Sequence, residues 1–555
     1  MLLPVLVTSA AALILLTQSP GLPTSKSAEK VPPPCTVSGR VVTATDGTPL
    51  KSSRLALLPE HASRDSHVYA AISDGSGRFT LKEVPAGRYR FLATHTSYVD
   101  QHYHSTGDDT GAVLALHAGD ELKDILFRMT PAAVITGRVN DEDGEPTASI
   151  QVVALRRPTD EEIDDRDGLP SRAQELRPAG MAQTDDRGQY RIFGLKPGEY
   201  YIKAVDQYEP MFQIINSSEW EVHDALGSQY APVYYPGVTQ ISQAEAVPVT
   251  SGEEAHMDFV MRRIKTVEIS GRVIGADGKP ATDVYLYLEE LPAADYGVSH
   301  GIEIDAKGEF KVKGVAPGSY MLHAQQHSSE ESNHHATQKI EVGSDNIDSI
   351  TLALGRGVNL SGRVEVSGTG TIQFERLLLH LISHDDQTAN AWAQVKKNGN
   401  FQLLDVPDGT FVFSLNGLDE GWYLKSVRLG ADDLLAKGME VEKGESGGTI
   451  QVVVSNDGAD LTGSVTQDDK PVIGARVRIT PDPESSYNHS RSRTANTDQG
   501  GRFSFVGVAP GQYRVIAKAS GPDGGNAVAS DAKSVSLSES DHKTIELTVA
   551  SPETH

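Results

Sequence analysis

Short stretches in which apolar and polar residues alternate recur along most of the chain. Phe79-Thr80-Leu81 and Tyr89-Arg90-Phe91 show this pattern, in which every second side chain is apolar. A period of two is typical of a half-buried β-strand, because successive side chains point to opposite faces of a sheet. No long stretch with a helical period accompanies them. The pattern therefore predicts an all-β protein.

One arrangement of glycines and aromatic residues occurs five times. Each copy begins with Gly-Arg-Val or Gly-Ser-Val, continues to a Gly-x-aromatic triplet, and ends with Pro-Gly-x-aromatic or a close variant. The copies begin at Gly39, Gly137, Gly271, Gly362 and Gly463. Each Pro-Gly pair predicts a tight turn, with a glycine such as Gly318 in the left-handed region. A period of roughly 90 to 130 residues predicts tandem domains with separate cores.

About seven short strands in each copy predict a small antiparallel sandwich. We expect five sandwiches, at residues 36–131, 132–265, 266–356, 357–456 and 457–555. Short linkers between them predict an elongated array, on the order of 100 to 150 Å long if the sandwiches lie end to end. The fourth copy departs most from the repeat, because Asp408 separates its proline from its glycine.

The repeated motifs resemble those of a known family. Gly-Arg-Val, Asp-Gly-x-Pro, Asp-x-x-Gly-x-(Phe/Tyr) and Pro-Gly-x-Tyr are similar to the pattern of the carboxypeptidase regulatory-like domain, and they cover nearly all of the chain after Cys35. The resemblance implies a transthyretin-like or immunoglobulin-like sandwich with a carbohydrate-binding-like fold, often found in tandem in bacterial envelope proteins. Because each motif is a turn or strand signature, the resemblance is specific for fold and weak for function.

The amino-terminal segment predicts an extracytoplasmic location, in the periplasm, on the outer surface or secreted. Residues 5–16 are almost wholly apolar or small. A helix needs about 20 apolar residues to span a bilayer, so this run resembles a secretory signal peptide at residues 1–21, with an uncleaved anchor as the alternative. Residues 22–35 are then a linker. We expect no other membrane span.

Charge and cysteine content narrow the possible partners. The formal charge of −25 argues against nucleic acid, because an anionic surface repels a phosphate backbone. A single cysteine, Cys35, excludes an internal disulfide, so each domain depends on core packing. We expect Cys35 to lie at the start of the first strand, with an intermolecular disulfide as the alternative.

Two His-x-x-Glu strings invite a zinc-peptidase interpretation. They run from His300 to Glu303 and from His327 to Glu330. A catalytic zinc needs three protein ligands and an open position, and zinc carboxypeptidases supply the rest of the site from a large α/β domain. No such domain fits between the sandwiches. We therefore predict no enzymatic activity, no cofactor and no metal site.

Two other polar features allow metal binding as the less favoured alternative. His327, His334 and His335 belong, with Glu330 and Glu331, to a polar stretch that we expect to be a solvated loop, although imidazoles on a loop can hold a transition metal weakly. Acidic turns such as Asp141-Glu142-Asp143 and Asp185-Asp186 lack the ligand spacing of a calcium loop, and we interpret them as hairpin turns.

Function is expected where the copies differ. The second copy carries insertions at residues 156–182 and 207–236, and the latter is rich in aromatic residues. Aromatic faces stack on the apolar faces of pyranose rings. The candidate carbohydrate-binding residues are Trp220, Tyr230, Tyr234 and Tyr235. The alternative is that these side chains form a local core. Trp392 and Trp422 are expected in a core or at a domain junction.

The sequence thus predicts a non-catalytic extracytoplasmic protein that binds carbohydrate or an envelope polymer. The expected partner is a polysaccharide or a cell-envelope protein. The alternatives are a structural spacer or protein-interaction scaffold without sugar affinity, and an accessory subunit of a peptidase.

Overall fold

The all-β prediction is confirmed. The computed structural model describes residues 32–550, apart from residues 61–65, 106–110, 159–175, 207–227, 240, 276, 292–299, 303, 328–332, 356, 384–389, 443–447, 486 and 520–527. Alternating residues form strands with one buried face, as the sequence predicts: Phe79 and Leu81 are buried, whereas Thr80 between them is exposed. No helix in this described part is long and apolar enough to cross a bilayer.

The first sandwich packs two sheets around a cluster of phenylalanines. Its strands are β1 (Cys35–Thr43), β2 (Arg54–Pro59), β3 (Tyr69–Ile72), β4 (Arg78–Val84), β5 (Gly87–Thr94), β6 (Gln101–His102), β7 (Val113–Leu116) and β8 (Glu121–Met129). The sheet orders are β4-β1-β8 and β3-β2-β5-β6, and β7 also pairs with β5. The rings of Phe91 and Phe127 meet edge to face, with centroids 4.9 Å apart.

The second sandwich has extra strands that come from its longer sequence. The strands are β9 (Ala133–Asn140), β10 (Gln151–Arg156), β11 (Arg177–Gln183), β12 (Gln189–Leu195), β13 (Gly198–Val205), β14 (Ser228–Tyr230), β15 (Val233–Tyr234), β16 (Val247–Val249), β17 (Glu254–His256), β18 (Phe259–Val260) and β19 (Arg263–Lys265). One sheet is β12-β9-β17 with β18 also on β9, and the other is β11-β10-β13-β15 with β16 also on β13. β14 and β19 form a separate ribbon. A 3-10 turn spans Ile241–Gln243.

The third sandwich is the simplest. Its strands are β20 (Val267–Ile274), β21 (Val284–Leu291), β22 (His300–Ile302), β23 (Glu309–Val315), β24 (Gly318–His327), β25 (Asn333–Val342) and β26 (Ile347–Ala353). They form the sheets β23-β20-β26 and β22-β21-β24-β25. The two inner faces bury a core that includes Leu286, Leu322 and Ile269.

The fourth sandwich diverges from the others, as the sequence predicts. Its elements are β27 (Val358–Ser367), β28 (Leu378–Ser383), β29 (Ala391–Gln394), β30 (Asn400–Val406), β31 (Gly409–Asn416), β32 (Tyr423–Leu429), β33 (Asp432–Asp433), helix α1 (Leu434–Lys437), β34 (Met439–Val441) and β35 (Thr449–Ser455), with a 3-10 turn at Phe374–Arg376. The sheets are β30-β27-β35-β32-β33 and β29-β28-β31-β34. Helix α1 is capped by the Asp433 carboxylate, which accepts from the backbone N–H of Leu435 at 3.0 Å.

The fifth sandwich repeats the plan of the first. Its strands are β36 (Ala459–Gln467), β37 (Lys470–Pro471), β38 (Arg476–Pro481), β39 (Arg493–Asn496), β40 (Arg502–Val508), β41 (Gly511–Ala519), β42 (Val528–Ala529), β43 (Lys533–Leu537) and β44 (His542–Thr548), with a 3-10 turn at His489–Arg491. The sheets are β37-β36-β40 with β44 also on β36, and β39-β38-β41-β42 with β43 also on β41.

Each sandwich contains a parallel pairing that the antiparallel prediction did not include. The first strand pairs antiparallel with the Gly-x-aromatic strand on one side and parallel with the end of the domain on the other. The parallel pairs are β1 with β8, β9 with β17 and β18, β20 with β26, β27 with β35, and β36 with β44. The chain crosses between the two sheets more than once, and its last strand lies beside the first strand and runs in the same direction.

The parallel pairing explains the glycine that begins each copy. At Gly271 a β carbon would overlap the backbone carbonyl of Ile350 in β26. The left-handed glycines in the described part of this sandwich are Gly278, with φ of 81°, and Gly308, with φ of 75°, in the turn before β23. The expectation for Gly318 was wrong: its φ lies outside the left-handed region, and a β carbon there would approach the Tyr320 ring at 3.3 Å.

The tyrosine after each Pro-Gly turn has a hydrogen-bonding role. In four sandwiches its hydroxyl donates to the backbone carbonyl four residues earlier, at 2.7 to 3.0 Å. The pairs are Tyr89 with Pro85, Tyr200 with Lys196, Tyr320 with Ala316, and Tyr513 with Ala509. The fourth sandwich has the buried Phe411 at this position. The aromatic ring therefore fills the core while the hydroxyl fixes the turn.

The first and fifth sandwiches are in contact, which differs from the predicted end-to-end array. Val113 at the start of β7 forms a parallel bridge with Asp498, in the turn between β39 and β40. The backbone N–H of Val113 donates to the carbonyl of Thr497 at 3.3 Å. The repeated motifs specify turns within a domain, and they carry no information on how one domain lies against another. The chain therefore folds back on itself instead of extending.

Candidate functional site

The aromatic insertion of the second sandwich is described from residue 228 onward. Trp220, one of the four candidate sugar-binding residues, lies outside the described residues. The other three belong to the ribbon and edge strands β14 and β15 or follow them directly. Part of the other insertion, at residues 159–175, also lies outside the described part of the chain.

Tyr234 is buried on the outer face of the sheet formed by β10 and β13. It is 8% exposed and forms a small hydrophobic cluster with Val153 and Leu155, separate from the main core. The ammonium group of Lys203 lies 5.5 Å from the centre of its ring. Because the ring is covered on this face and occupied by a cation, Tyr234 offers no open face to a sugar in this conformation.

Tyr230 and Tyr235 are half-buried against the main core of the same sandwich. The guanidinium of Arg263 lies 5.2 Å from the centre of the Tyr230 ring and donates to its hydroxyl at 2.9 Å. The Tyr235 ring meets Phe259 edge to face at 6.3 Å. The three described tyrosines therefore stabilise the insertion as a local core, the alternative that the sequence left open. A sugar-binding role for the segment stays a prediction.

Trp392 is an exposed aromatic residue that the sequence interpretation missed. It was expected in a core or at a junction, but it is 57% exposed on the edge strand β29. Its partner across the strand pair is His380 in β28. The buried Ala391 and Ala393 on either side place Trp392 on the opposite, outward face. The alternation of small and large residues was the signal that could have revealed it.

Trp422 lies at a domain junction, as expected. It packs against the core of the fourth sandwich and lines a cleft between the fourth and fifth sandwiches. The junction also contains an ion pair, in which the Lys425 ammonium lies 2.5 Å from the Glu539 carboxylate. The arginine side chain of Arg491 donates to the Lys425 carbonyl at 3.3 Å. These contacts fix the two sandwiches against each other.

The His-x-x-Glu strings are described only in part. His300 begins β22 and His327 ends β24, while Glu303 and Glu330 lie outside the described residues. Among the residues that the structure describes, no group of three or more His, Cys, Asp and Glu side chains could hold a metal ion.

His334 and His335 are placed in a strand, so the expectation of a solvated loop was wrong for both. They are the second and third residues of β25, and the imidazole of His334 lies between two partners. Its Nε2 is 3.5 Å from the carboxylate of Asp405 in the fourth sandwich, and its Nδ1 is 3.3 Å from the Gln326 side-chain oxygen. His334 therefore contributes to the junction of the third and fourth sandwiches.

The acidic turns use their carboxylates to hold the backbone. One carboxylate oxygen of Asp185 accepts from the backbone N–H groups of Arg187 and Gln189, at 2.9 and 2.8 Å. These backbone hydrogen bonds keep the pKa of Asp185 below its usual range. Asp141 makes the same pair of bonds to residues 143 and 145. The hairpin-turn interpretation agrees with this geometry.

Cys35 lies at the start of the first strand, as expected, and is fully buried. Its thiol contacts the backbone carbonyl of His117 at 2.9 Å. An intermolecular disulfide would require this core position to open.

Comparison with known proteins identifies one family. Residues 460–550 match the model of the carboxypeptidase regulatory-like domain. No curated protein sequence matches the chain significantly. This match covers the fifth sandwich.

Several solved pilin structures are similar to parts of the chain at low identity. The streptococcal ancillary pilin is 10% identical over 57% of this chain and 99% of its own, with a TM-score of 0.19. The full-length RrgB pilus protein of Streptococcus pneumoniae is 8% identical over 77% of this chain and 99% of its own, with a TM-score of 0.16. Such TM-scores carry no argument about fold or function. The fifth sandwich is therefore similar to the carboxypeptidase regulatory-like domain, as the repeat motifs predicted.

Proposed function

We propose that the protein is a non-catalytic extracytoplasmic scaffold whose five sandwiches hold one another in a closed arrangement. The observation that carries this proposal is the contact between the first and fifth sandwiches. The amino-terminal apolar segment supports the extracytoplasmic location. In this role the array would position its exposed loops and edges for a polysaccharide or a cell-envelope protein.

Side-chain amides in the fifth sandwich make the contact specific. The backbone N–H of Ala115 donates to the Gln499 side-chain oxygen at 3.0 Å, and the Gln499 amide donates back to the Ala115 carbonyl at 2.6 Å. The Asn496 amide donates to the Gly111 carbonyl at 2.5 Å. Gln499 thus satisfies both backbone groups of one β7 residue, as a neighbouring strand would. Each such bond contributes about 0.5–1.5 kcal/mol net.

Burial at the contact indicates a packed interface. Ala112 and Val113 of the first sandwich and Thr497 of the fifth are almost fully buried. Asp498 is also buried, and its carboxylate lies 3.8 Å from the guanidinium of Arg88 across the contact. Buried backbone groups that pair across an interface resist separation, because separation must rehydrate them and lose the packing.

Small-angle X-ray scattering of the full chain tests this proposal. We expect a compact particle, and we expect the double variant Asn496→Ala, Gln499→Ala to have a larger radius of gyration. The variant Gln467→Ala is a matched control, since Gln467 donates within its own sandwich, to the Ala550 carbonyl. Scattering of the parent protein that fits a rod of five sandwiches in line would contradict the proposal.

Binding of carbohydrate or an envelope polymer is the second candidate function. The exposed Trp392 on the edge strand β29 favours it, since the apolar face of a pyranose ring can stack on an exposed indole. Trp220, Tyr230, Tyr234 and Tyr235 remain candidates in the second sandwich, and Tyr234 would have to leave its contact with Lys203 to stack on a sugar. A glycan array with the parent protein and Trp392→Ala tests it. If the parent protein binds a glycan on the array and Trp392→Ala does not, carbohydrate binding is supported. If the parent protein binds no glycan, the protein is a scaffold without sugar affinity.

A further inference from the structure

A cleft of about 580 Å³ separates the fourth sandwich from the fifth. On the fourth sandwich its wall includes Trp422 and Leu418, which lie after β31. On the fifth sandwich its wall comes from β38, the 3-10 turn at His489–Arg491 and β39. The volume is within the range of small-molecule sites in proteins, which is about 300–1,000 Å³.

The charge of this cleft is opposite to that of the whole chain. The described residues that line it include three arginines and one histidine and no carboxylate: Arg478, Arg491, Arg493 and His489. The chain as a whole carries a formal charge of −25. Cations gathered in a concave, partly desolvated surface attract anions more strongly than dispersed ones do.

The three arginines differ in how far their hydrogen bonds are already used. Arg493 donates to the carbonyls of Val506 and Gly507, at 2.7 and 3.0 Å, and burial lowers the pKa of its guanidinium. Its role is structural. Arg478 donates to the Glu484 carboxylate at 3.1 Å, and that carboxylate also lies 3.5 Å from His489.

Arg491 retains unused hydrogen-bonding capacity. One terminal nitrogen donates to the Lys425 carbonyl, but its Nε is buried and has no hydrogen-bond partner among the residues that the structure describes. The hydroxyl oxygen of the adjacent Ser492 is also buried and also has no hydrogen-bond partner among the described residues. Buried polar atoms are normally paired, so two neighbouring unpaired ones beside a cationic cleft indicate side chains that gain a partner when a ligand oxygen enters and they turn toward it.

We propose that this cleft binds an acidic saccharide. A carboxylate or sulfate of the sugar accepts from the Arg491 guanidinium, since arginine pairs with planar and tetrahedral oxyanions through directed N–H groups. The side chains of Arg491 and Ser492 turn toward the cleft on binding, which brings the buried Arg491 Nε and the Ser492 hydroxyl within reach of the same oxyanion. The apolar face of the sugar ring lies against Trp422. The site is distinct from the aromatic insertion of the second sandwich and goes beyond a scaffold role.

Isothermal titration calorimetry with the full chain tests the proposal. The probes are trigalacturonate, a sulfated heparin-derived tetrasaccharide and neutral maltotriose. We expect the parent protein to bind one or both anionic probes, more weakly at high salt, and to bind maltotriose at least about tenfold more weakly. The two anionic probes distinguish carboxylate from sulfate as the recognised group.

Three variants locate the binding. Arg491→Gln should weaken it at least about tenfold. Ser490→Trp, at an exposed position on the wall of the cleft, should block it without changing charge. Arg502→Gln removes the same charge from an exposed position of β40 outside the cleft wall and should leave binding unchanged. Peptide hydrogen exchange that matches the parent protein shows that a variant has kept its fold.

Several results would overturn the proposal. The first is that the parent protein binds neither anionic probe at millimolar concentration. The second is that Arg502→Gln weakens binding as much as Arg491→Gln does. The third is that the Ser490→Trp variant binds as tightly as the parent protein. Equally tight binding of a triglutamate peptide would also contradict it, by showing that the cleft selects charge and not a sugar. None of these results affects the scaffold proposal, which scattering tests separately.

Discussion

Replacing Tyr234 by alanine separates the two interpretations of the aromatic insertion. The side chain is 8% exposed and packs with Val153 and Leu155 beside the Lys203 ammonium. Removing a large aromatic side chain from a core costs about 3–5 kcal/mol. Because this outer cluster is small and can partly collapse, we expect a loss near the lower end, about 3 kcal/mol. Loss of the contact with the ammonium adds to this cost.

Hydrogen exchange measured peptide by peptide is the appropriate assay, because it reports on each sandwich of a multidomain chain separately. We expect faster exchange in β10, β13 and β15 and unchanged exchange in the other sandwiches. Trp392→Ala is the matched control: at 57% exposure its loss should change stability by less than about 0.5 kcal/mol. Unchanged exchange in Tyr234→Ala, together with loss of glycan retention, would refute the local-core interpretation.

Three further predictions concern the repeated framework. Tyr513→Phe removes the donor to a buried carbonyl and should cost about 1–3 kcal/mol, seen as faster hydrogen exchange in the fifth sandwich alone; unchanged exchange would contradict it. Gly271→Ala should destabilise the third sandwich by about 1–3 kcal/mol, because the new β carbon overlaps β26. Gly318→Ala should have little effect. Equal shifts of the melting temperature in the two variants would show that the close approach at Gly271 does not matter. Burial raises the pKa of Tyr190, so the native state keeps a proton that the unfolded chain releases above about pH 10. The free energy of unfolding should therefore fall as the pH rises past that value. Urea titrations across this range should show a shallower fall for Tyr190→Phe than for the parent protein, and an identical fall would contradict the prediction.

The sequence predicted the interior of each sandwich well, because local physical rules decide it. The alternation of apolar and polar residues along a strand determines which face is buried, so residues such as Phe79 and Leu81 point inward. The Pro-Gly-x-Tyr motif correctly marked a turn before a strand. The turn is held for a different reason than the expected left-handed glycine: Gly318 is not left-handed, and the Tyr320 hydroxyl fixes the turn instead. A motif can thus predict a structure without revealing which atom of the motif maintains it.

Contacts between sandwiches could not be predicted from the repeat. Asn496 and Gln499 look like ordinary turn residues in the sequence, yet their amides bind the first sandwich. Arg478 and Arg491 come from different elements of the fifth sandwich, and they line a cleft together only when the fourth sandwich lies beside them. The net charge of the whole chain is negative, so it gives no sign of the arginines that line this cleft.

The most direct test of the closed scaffold is disulfide trapping between the first and fifth sandwiches. The backbones of Val113 and Asp498 are partners in a parallel bridge across the contact, and the native Cys35 is buried and unable to compete while the protein is folded. In the variant Val113→Cys, Asp498→Cys, mild oxidation should produce a monomer that migrates faster on a non-reducing gel, while each single-cysteine variant should not. Absence of this species, or cross-linked dimers in its place, would contradict the closed arrangement.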